Sequence, residues 1–167
     1  MTVRSGRLLY IMAVAYLGLG ANLGDRQANL EGAVAELRGL GLVRCSSWYE
    51  TEPVDMPGAP LFLNGVVELK TGLGPEALFA QTRVIEQRRG RAPGPGPRAI
   101  DIDLLLYDSL VAALPGLVLP HPRMHLRPFV LVPLAELAPE LCHPRLGVSV
   151  QALLARAGTS GVRLFVS

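Results

Sequence analysis

Two carboxylates set two residues apart, Asp101 and Asp103, are the part of this sequence best suited to metal chemistry. They stand in the apolar segment 99–107, which is predicted to be a strand. Residues two apart in a strand share a face and lie about 6.7 Å apart along it. Two like charges at that spacing repel, and a hard divalent cation such as Mg²⁺ would relieve the repulsion. Two ions could lie between this pair and a nucleotide. Two solvated aspartates at a strand end are the alternative.

Arginine and histidine accompany the two carboxylates. Arg98 precedes the pair by three residues and is suited either to clamp a phosphate or to form a salt bridge with one aspartate. The segment 120–129 places two histidines and two arginines in a loop stiffened by proline, and rigid loops with polar side chains often line sites. Lys70 is the only lysine of the chain, so arginine would have to bind any phosphate.

A glycine-rich segment, Gly-Leu-Gly-Ala-Asn-Leu-Gly at 18–24, follows the first predicted strand. It matches neither the dinucleotide-binding pattern nor a Walker loop, which requires lysine before serine or threonine. We therefore predict a tight turn that joins the strand to a helix rather than a phosphate-binding loop. This prediction disfavours a Rossmann dinucleotide enzyme.

The elements that must position these side chains follow from hydrophobic periodicity and from glycine and proline breaks. The predicted strands are 14–19, 43–50, 61–69 and 99–107, and the helices run from 25 to 39 and from 75 to 90. An irregular segment is expected at 115–128, helices at 129–137 and 149–156, an edge strand at 162–166, and a surface loop at 92–97. The order predicts an α+β fold, a ferredoxin-like βαββαβ sandwich with extra C-terminal elements.

Length and composition bound the organisation and the class of protein. With 167 residues and half of them hydrophobic, the chain is expected to form a single domain, 1–167. Residues 1–11 are expected to be an N-terminal extension of a domain at 12–167, with Met1 or Met12 as the natural start. The net charge of +2 and the scattered arginines argue against nucleic-acid binding.

No apolar run reaches the ~18 residues of a membrane span. The protein is therefore expected to be cytoplasmic and to make no membrane contact. It is also expected to be a monomer. Cys45 and Cys142 stand in no motif and are expected to be free thiols.

Taken in order along the chain, these segments resemble the 6-hydroxymethyl-7,8-dihydropterin pyrophosphokinase family of folate biosynthesis. The resemblance covers about residues 13–145. It is carried by the motifs at 16–26, 49–54, 62–64, 85–86 with 90–91, 96–98 with 101–103, 119–122 and 127–131.

The resemblance implies transfer of the terminal diphosphate of ATP to the hydroxymethyl group of the pterin, which releases AMP. It implies two Mg²⁺ ions on Asp101 and Asp103, with catalytic roles for these two residues and for Arg91 and Arg98. The ATP site is expected to contain Glu86, Arg91, Arg98, Leu104, His121 and Arg127. The pterin is expected to stack between two aromatic rings and to bond at its edge, in a site made by Thr51, Val54, Phe62, Asn64 and Phe129.

Two other functions stay open on the residues alone. One is a Mg²⁺-dependent phospho- or nucleotidyltransferase that acts on another small alcohol with the same two carboxylates. The other is a ferredoxin-like regulatory or RNA-binding module without catalysis. Such a module would need exposed aromatic residues on its sheet and a basic stripe, and the sequence shows neither pattern.

Overall fold

The computed structural model describes residues 2–5, 8–53, 57–90 and 98–167. The helices of this part of the chain are α1 (Arg26–Leu37), α2 (Pro75–Arg88), α3 (Pro128–Leu137) and α4 (Val150–Ala157). Its first strands are β1 (Thr2–Ser5), β2 (Leu8–Ile11), β3 (Ala13–Ala21), β4 (Leu42–Cys45) and β5 (Tyr49–Thr51). The later strands are β6 (Phe62–Thr71), β7 (Asp101–Tyr107), β8 (Ala112–Leu114), β9 (Leu117–Leu119) and β10 (Val162–Leu164). The predicted loop at 92–97 lies outside the described residues.

The central sheet has the strand order β10-β5-β6-β3-β7, and β4 pairs with β6 beside β5. Every pairing in it is antiparallel. If β4 and β5 are counted as one strand, the βαββαβ unit has the spatial order second, third, first, fourth. The α+β, ferredoxin-like prediction is therefore confirmed, with β10 as an added edge strand.

The two faces of the sheet bury different sets of side chains because successive residues of a strand alternate between them. On one face Leu17 and Leu19 pack with Leu30 of α1 and Leu78 of α2. On the other face, Tyr16 of β3 belongs to a second cluster with residues of α3 and α4, namely Val130, Leu131, Leu134, Val150 and Leu153. Helices α3 and α4 therefore cover one part of the second face, and the rest of that face is free to form a site.

The second strand of the prediction is interrupted in the structure, which has β4 and β5 in its place. Cys45 lies opposite Val67, whereas Tyr49 lies opposite Asn64. Four steps along one strand thus match three along the other, which is the geometry of a β-bulge. The prediction of one continuous strand over 43–50 is wrong because of this extra residue.

Ser46 and Trp48 fill the bulge. The backbone nitrogen of Ser46 donates to the oxygen of Val66 at 2.9 Å, and its Oγ accepts from the nitrogen of Val66 at 2.9 Å. The hydroxyl thus replaces a lost ladder partner in a buried position. Trp48 lies across the neighbouring Gly65, where any Cβ would overlap the indole ring. The absence of a side chain at residue 65 is what lets this ring pack on the sheet.

Gly65→Ala should therefore destabilise the protein by about 1–3 kcal/mol, because the indole must leave a well-packed position. Urea unfolding followed by circular dichroism measures the change. Gly39→Ala is the matched control, since a Cβ there meets no atom within 4 Å. Equal unfolding midpoints for the two variants would contradict the packing argument.

The terminal elements extend the predicted core. Helices α3 and α4 and edge strand β10 lie where they were predicted, and β10 pairs with β5. The segment 115–128 is less irregular than predicted, because β8 and β9 form an antiparallel hairpin that reaches into it. The strands β1 and β2 of the predicted extension pair with each other as a separate two-stranded sheet.

Both cysteines carry free thiols, as predicted. Across the residues that the structure describes, no helix combines the length and the apolar character that crossing a membrane requires.

Candidate active site

A cavity of about 230 Å³ opens on the part of the sheet that α3 and α4 leave uncovered. It brings together residues from β3, β5, β6 and β7, Arg98 from the segment before β7, and residues from the start of α3. Its lining residues are Gly18, Leu19, Gly20, Thr51, Glu52, Phe62, Asn64, Arg98, Asp101, Asp103, Arg127, Phe129 and Val130. Eight of the predicted site residues therefore meet in one place.

The two glycines of β3 form the floor of this cavity. Gly20 lies between Asn64 of β6 and Asp101 of β7, and Gly18 lies opposite Asp103. Residues opposite one another on neighbouring strands point to the same face. The prediction that Gly18 and Gly20 form a strand-to-helix turn is wrong, because β3 continues through them to Ala21. Their lack of side chains leaves space between an amide on one side and two carboxylates on the other.

Asn64 is held in a fixed orientation above this floor. Its Nδ2 donates to Oγ1 of Thr51 at 2.6 Å, and both residues are buried. Its Oδ1 lies so near β3 that a Cβ at Gly20 would stand only 2.7 Å from it. The amide thus presents a fixed polar edge to the cavity, as recognition of a polar heterocycle requires.

The carboxylates Asp101 and Asp103 both line the cavity, which is the shared face that their spacing predicts. Arg98 Nη1 lies 3.2 Å from Oδ1 of Asp101, with both side chains about three-quarters buried. The salt-bridge alternative for Arg98 is therefore realised. The guanidinium still lines the cavity and has further donors for an anion.

The donor set of the two carboxylates suits Mg²⁺, which takes oxygen ligands from one or two carboxylates together with phosphates and water. Among the described residues, no group of three or more His, Cys, Asp or Glu side chains could hold a metal ion. An ion between Asp101 and Asp103 could complete its coordination with oxygens of a phosphate group or of water.

Two phenylalanines and an arginine complete the walls. Phe62 begins β6 and Phe129 lies in the first turn of α3, and both line the cavity. The guanidinium carbon of Arg127 lies 5.5 Å from the centre of the Phe129 ring, which is within the range of a cation–π contact. The cavity walls therefore offer two apolar rings and a positive charge next to one of them.

Three further predicted site residues that the structure describes do not line this cavity. Leu104 is buried in the core on the opposite face of the sheet. Glu86 is buried on α2, with Oε1 3.5 Å from Nη1 of Arg83. His121 lies beside β7, where its backbone N–H donates to the carbonyl oxygen of Leu105 at 2.8 Å. Val54 and Arg91 lie outside the described residues.

The sequence-based assignment of the site missed the lining residues Gly18, Leu19, Gly20, Glu52 and Val130. Gly18 and Gly20 alternate with Leu17 and Leu19, and this alternation was a signal that they belong to a strand. Which residues of β6 and β7 stand beside them depends on strand register, which one sequence does not specify directly.

The pKa of His121 is lowered from its ordinary value, chiefly because burial disfavours the imidazolium. The positive charges of Arg127 and Arg123 lower it further, while Asp101 acts in the opposite direction. A lowered pKa keeps the ring neutral at pH 7. A neutral imidazole can donate one hydrogen bond to a phosphate, and it becomes a cation only at lower pH.

Arg127→Ala should raise the pKa of His121, since it removes a nearby positive charge that disfavours the imidazolium. The pKa is measured from the pH dependence of the imidazole NMR signals. Arg145→Ala is the matched control, because the charge of Arg145 lowers the pKa of His143 instead. An unchanged His121 titration in Arg127→Ala would contradict this account of the local electrostatics.

Comparison with known proteins supports the family resemblance that the sequence shows. The family model of 7,8-dihydro-6-hydroxymethylpterin-pyrophosphokinase (HPPK) matches residues 16–139. The 2-amino-4-hydroxy-6-hydroxymethyldihydropteridine pyrophosphokinase of Synechocystis sp. is 41% identical over 153 residues, which cover 89% of this chain and 78% of that protein. The protein of the same name from Bacillus subtilis is 40% identical over 157 residues, which cover 91% of this chain and 90% of that protein.

A solved structure supports the fold. Wild-type Plasmodium falciparum HPPK-DHPS with pteroate aligns with a TM-score of 0.72 at 17% identity, over 87% of this chain and 42% of that chain. This chain therefore spans less than half of that longer protein, and the likeness at this identity concerns the fold. The resemblance inferred from the sequence is confirmed by the family match and by the two relatives. The chain belongs to the 7,8-dihydro-6-hydroxymethylpterin-pyrophosphokinase family.

Proposed function

We propose that this chain transfers diphosphate from ATP to the hydroxymethyl group of 6-hydroxymethyl-7,8-dihydropterin, giving AMP and the pterin diphosphate for folate biosynthesis. The observation that carries the proposal is the composition of one cavity. The pair of aspartates on β7 and two guanidiniums line it together with an amide–hydroxyl pair and two phenylalanine rings. Family membership supports the same reaction, because the relatives are named for it.

The phosphate half of the site is assigned to the β7 side of the glycine floor. Asp101 and Asp103 are proposed to hold two Mg²⁺ ions. When bound, these ions neutralise phosphate charge and align the reacting oxygens. Arg98 and Arg127 supply fixed positive charge beside them, which suits a transfer whose barrier is lowered mainly by positioning and electrostatics. Glu86, Arg91, Leu104 and His121 stay proposals for the ATP site on the strength of the family resemblance.

The pterin half is assigned to the β5 and β6 side. A flat heteroaromatic ring needs apolar contact on its faces and fixed polar partners at its edge. Phe62 and Phe129 are proposed to provide the first, and Asn64 with Thr51 the second. Val54 is proposed to contribute a backbone contact. The hydroxymethyl group would then point across Gly20 toward the carboxylates.

The experiment that tests this function incubates the purified chain with Mg²⁺, the pterin and ATP labelled at either the α- or the γ-phosphate. We expect the γ-label in the pterin product and the α-label in AMP. A nucleotidyltransferase would instead put the α-label in the pterin product, and a simple kinase would release ADP. Either outcome, or turnover that does not depend on the pterin, would overturn the proposal. A cytoplasmic location, a monomeric state and a single domain over 1–167, with 1–11 as an extension, stay predictions from the sequence.

A further inference from the structure

The buried residue Asn22 joins three segments of the chain around the cavity. It follows β3 directly and is only 2% exposed. Its Oδ1 accepts from the backbone nitrogen of Arg98 at 2.6 Å, and its own backbone nitrogen donates to the oxygen of Arg98 at 2.9 Å. Its Nδ2 donates to the oxygen of Pro60 at 3.3 Å. One side chain thus holds Arg98, three residues before β7, and the segment before β6.

The orientation of this amide follows from its partners. A backbone N–H lies on one side and a carbonyl oxygen on the other, so only one arrangement of Oδ1 and Nδ2 satisfies both. The two functions of the side chain are therefore separable. The acceptor acts on Arg98, and the donor acts on Pro60.

Each of these two contacts leads to a different half of the cavity. Arg98 carries the guanidinium that lies beside Asp101. Pro60 stands two residues before Phe62, one of the aromatic walls. The segment before β6 has a second anchor, because Nη1 of Arg26 donates to the oxygen of Leu61 at 3.0 Å.

We infer that Asn22 is a positioning residue that sets Arg98 on the phosphate side and the segment leading to Phe62 on the pterin side, through two different atoms of one amide. This inference rests on the proposed function for the naming of the two sides. It gives the glycine-rich segment at 18–24 a role that is neither phosphate binding nor turn formation alone.

Two substitutions separate the two contacts. Asn22→Asp keeps an acceptor for the Arg98 nitrogen and removes the donor to Pro60, so it should weaken pterin binding about tenfold and leave binding of the ATP analogue unchanged. Asn22→Ala removes both contacts and should weaken both ligands by about tenfold each. Calorimetry with a non-hydrolysable ATP analogue and Mg²⁺, and with the pterin at a saturating level of that analogue, measures the two affinities.

Asn29→Asp is the matched control. Its Nδ2 donates to the oxygen of Leu23 at 2.9 Å, in the segment that joins β3 to α1. Neither Asn29 nor Leu23 lines the cavity. We expect unchanged affinities for both ligands in this variant. Equal losses of both affinities in Asn22→Asp, or no loss in it, would overturn the inference. This variant alone decides the matter if Asn22→Ala fails to fold.

Amide hydrogen exchange tests the same contacts without any ligand. The Arg98 amide should be protected in the parent protein and in Asn22→Asp, and it should exchange faster in Asn22→Ala. An Arg98 amide that is equally protected in all three proteins would overturn the positioning role. If the parent protein binds neither ligand, the proposed function fails, while the exchange measurement still decides whether Asn22 positions Arg98.

Discussion

Asp101→Asn and Asp103→Asn should each lower kcat/KM by roughly 10³-fold, and each should abolish the gain in ATP affinity that Mg²⁺ provides. Asparagine keeps the shape of aspartate and removes its charge, so the two variants test the charge alone. The two carboxylates lie on one face of β7, opposite the two floor glycines. A variant that lacks one carboxylate would hold Mg²⁺ less tightly. Less positive charge would then stabilise the phosphates in the transition state.

The control for this experiment is Asp25→Asn. Asp25 caps α1, where its Oδ1 accepts from the nitrogen of Ala28 at 3.0 Å, and asparagine caps a helix equally well. It removes one negative charge outside the cavity and should leave activity unchanged. Steady-state assays over a range of Mg²⁺ concentrations compare the three variants. Parent-like activity and Mg²⁺ dependence in both β7 variants would mean that the pair is only two solvated aspartates.

Gly20→Ala should weaken pterin binding by about 10- to 100-fold, because the new methyl group would displace the Asn64 amide. The added Cβ would stand 2.7 Å from Oδ1 of Asn64, and the amide cannot move away without losing its bond to Thr51. Pterin affinity, measured by titration, should fall much more than the urea midpoint of unfolding. ATP affinity should change less, because Asp101 and Asp103 belong to β7, whereas the displaced amide belongs to β6.

A double-mutant cycle sharpens this second prediction. In an Asn64→Ala background the amide is gone, so Gly20→Ala should add little further loss of pterin affinity. Gly39 does not line the cavity and has room for a Cβ, so Gly39→Ala should bind the pterin as the parent protein does. Additive losses in the double variant would show that Gly20 and Asn64 act independently.

Much of the fold could be predicted because its signals are local. Glycine and proline marked the ends of α2, Asp25 marked the start of α1, and the apolar run at 99–107 marked β7 to within two residues. The bulge at Ser46 could not be predicted in this way. It depends on how a hydroxyl and an indole pack against β6, and a propensity pattern for one strand does not carry that information.

The site, like the fold, has features that local sequence patterns predict and features that depend on long-range contacts. Asp101 and Asp103 could be placed on one face from their spacing, since the period of a strand is two. The role of Asn22 could not be predicted from residue spacing, because its partners stand 38 and 76 residues away along the chain. Arg91 and Val54 stay predictions for the site, since they lie outside the described residues. Long-range register and loop contacts are the part of a site that a single sequence specifies least.

The glycine floor has a consequence for drug resistance. An inhibitor that lies on Gly18 and Gly20 contacts main-chain atoms, and a mutation that replaces a side chain elsewhere does not remove those atoms. A resistance mutation at Gly20 itself would push a methyl group into Asn64. It would therefore weaken binding of the natural substrate together with binding of the drug. Compounds that draw their affinity from this floor should therefore select for resistance less readily than compounds that rely on the exposed rim at Glu52.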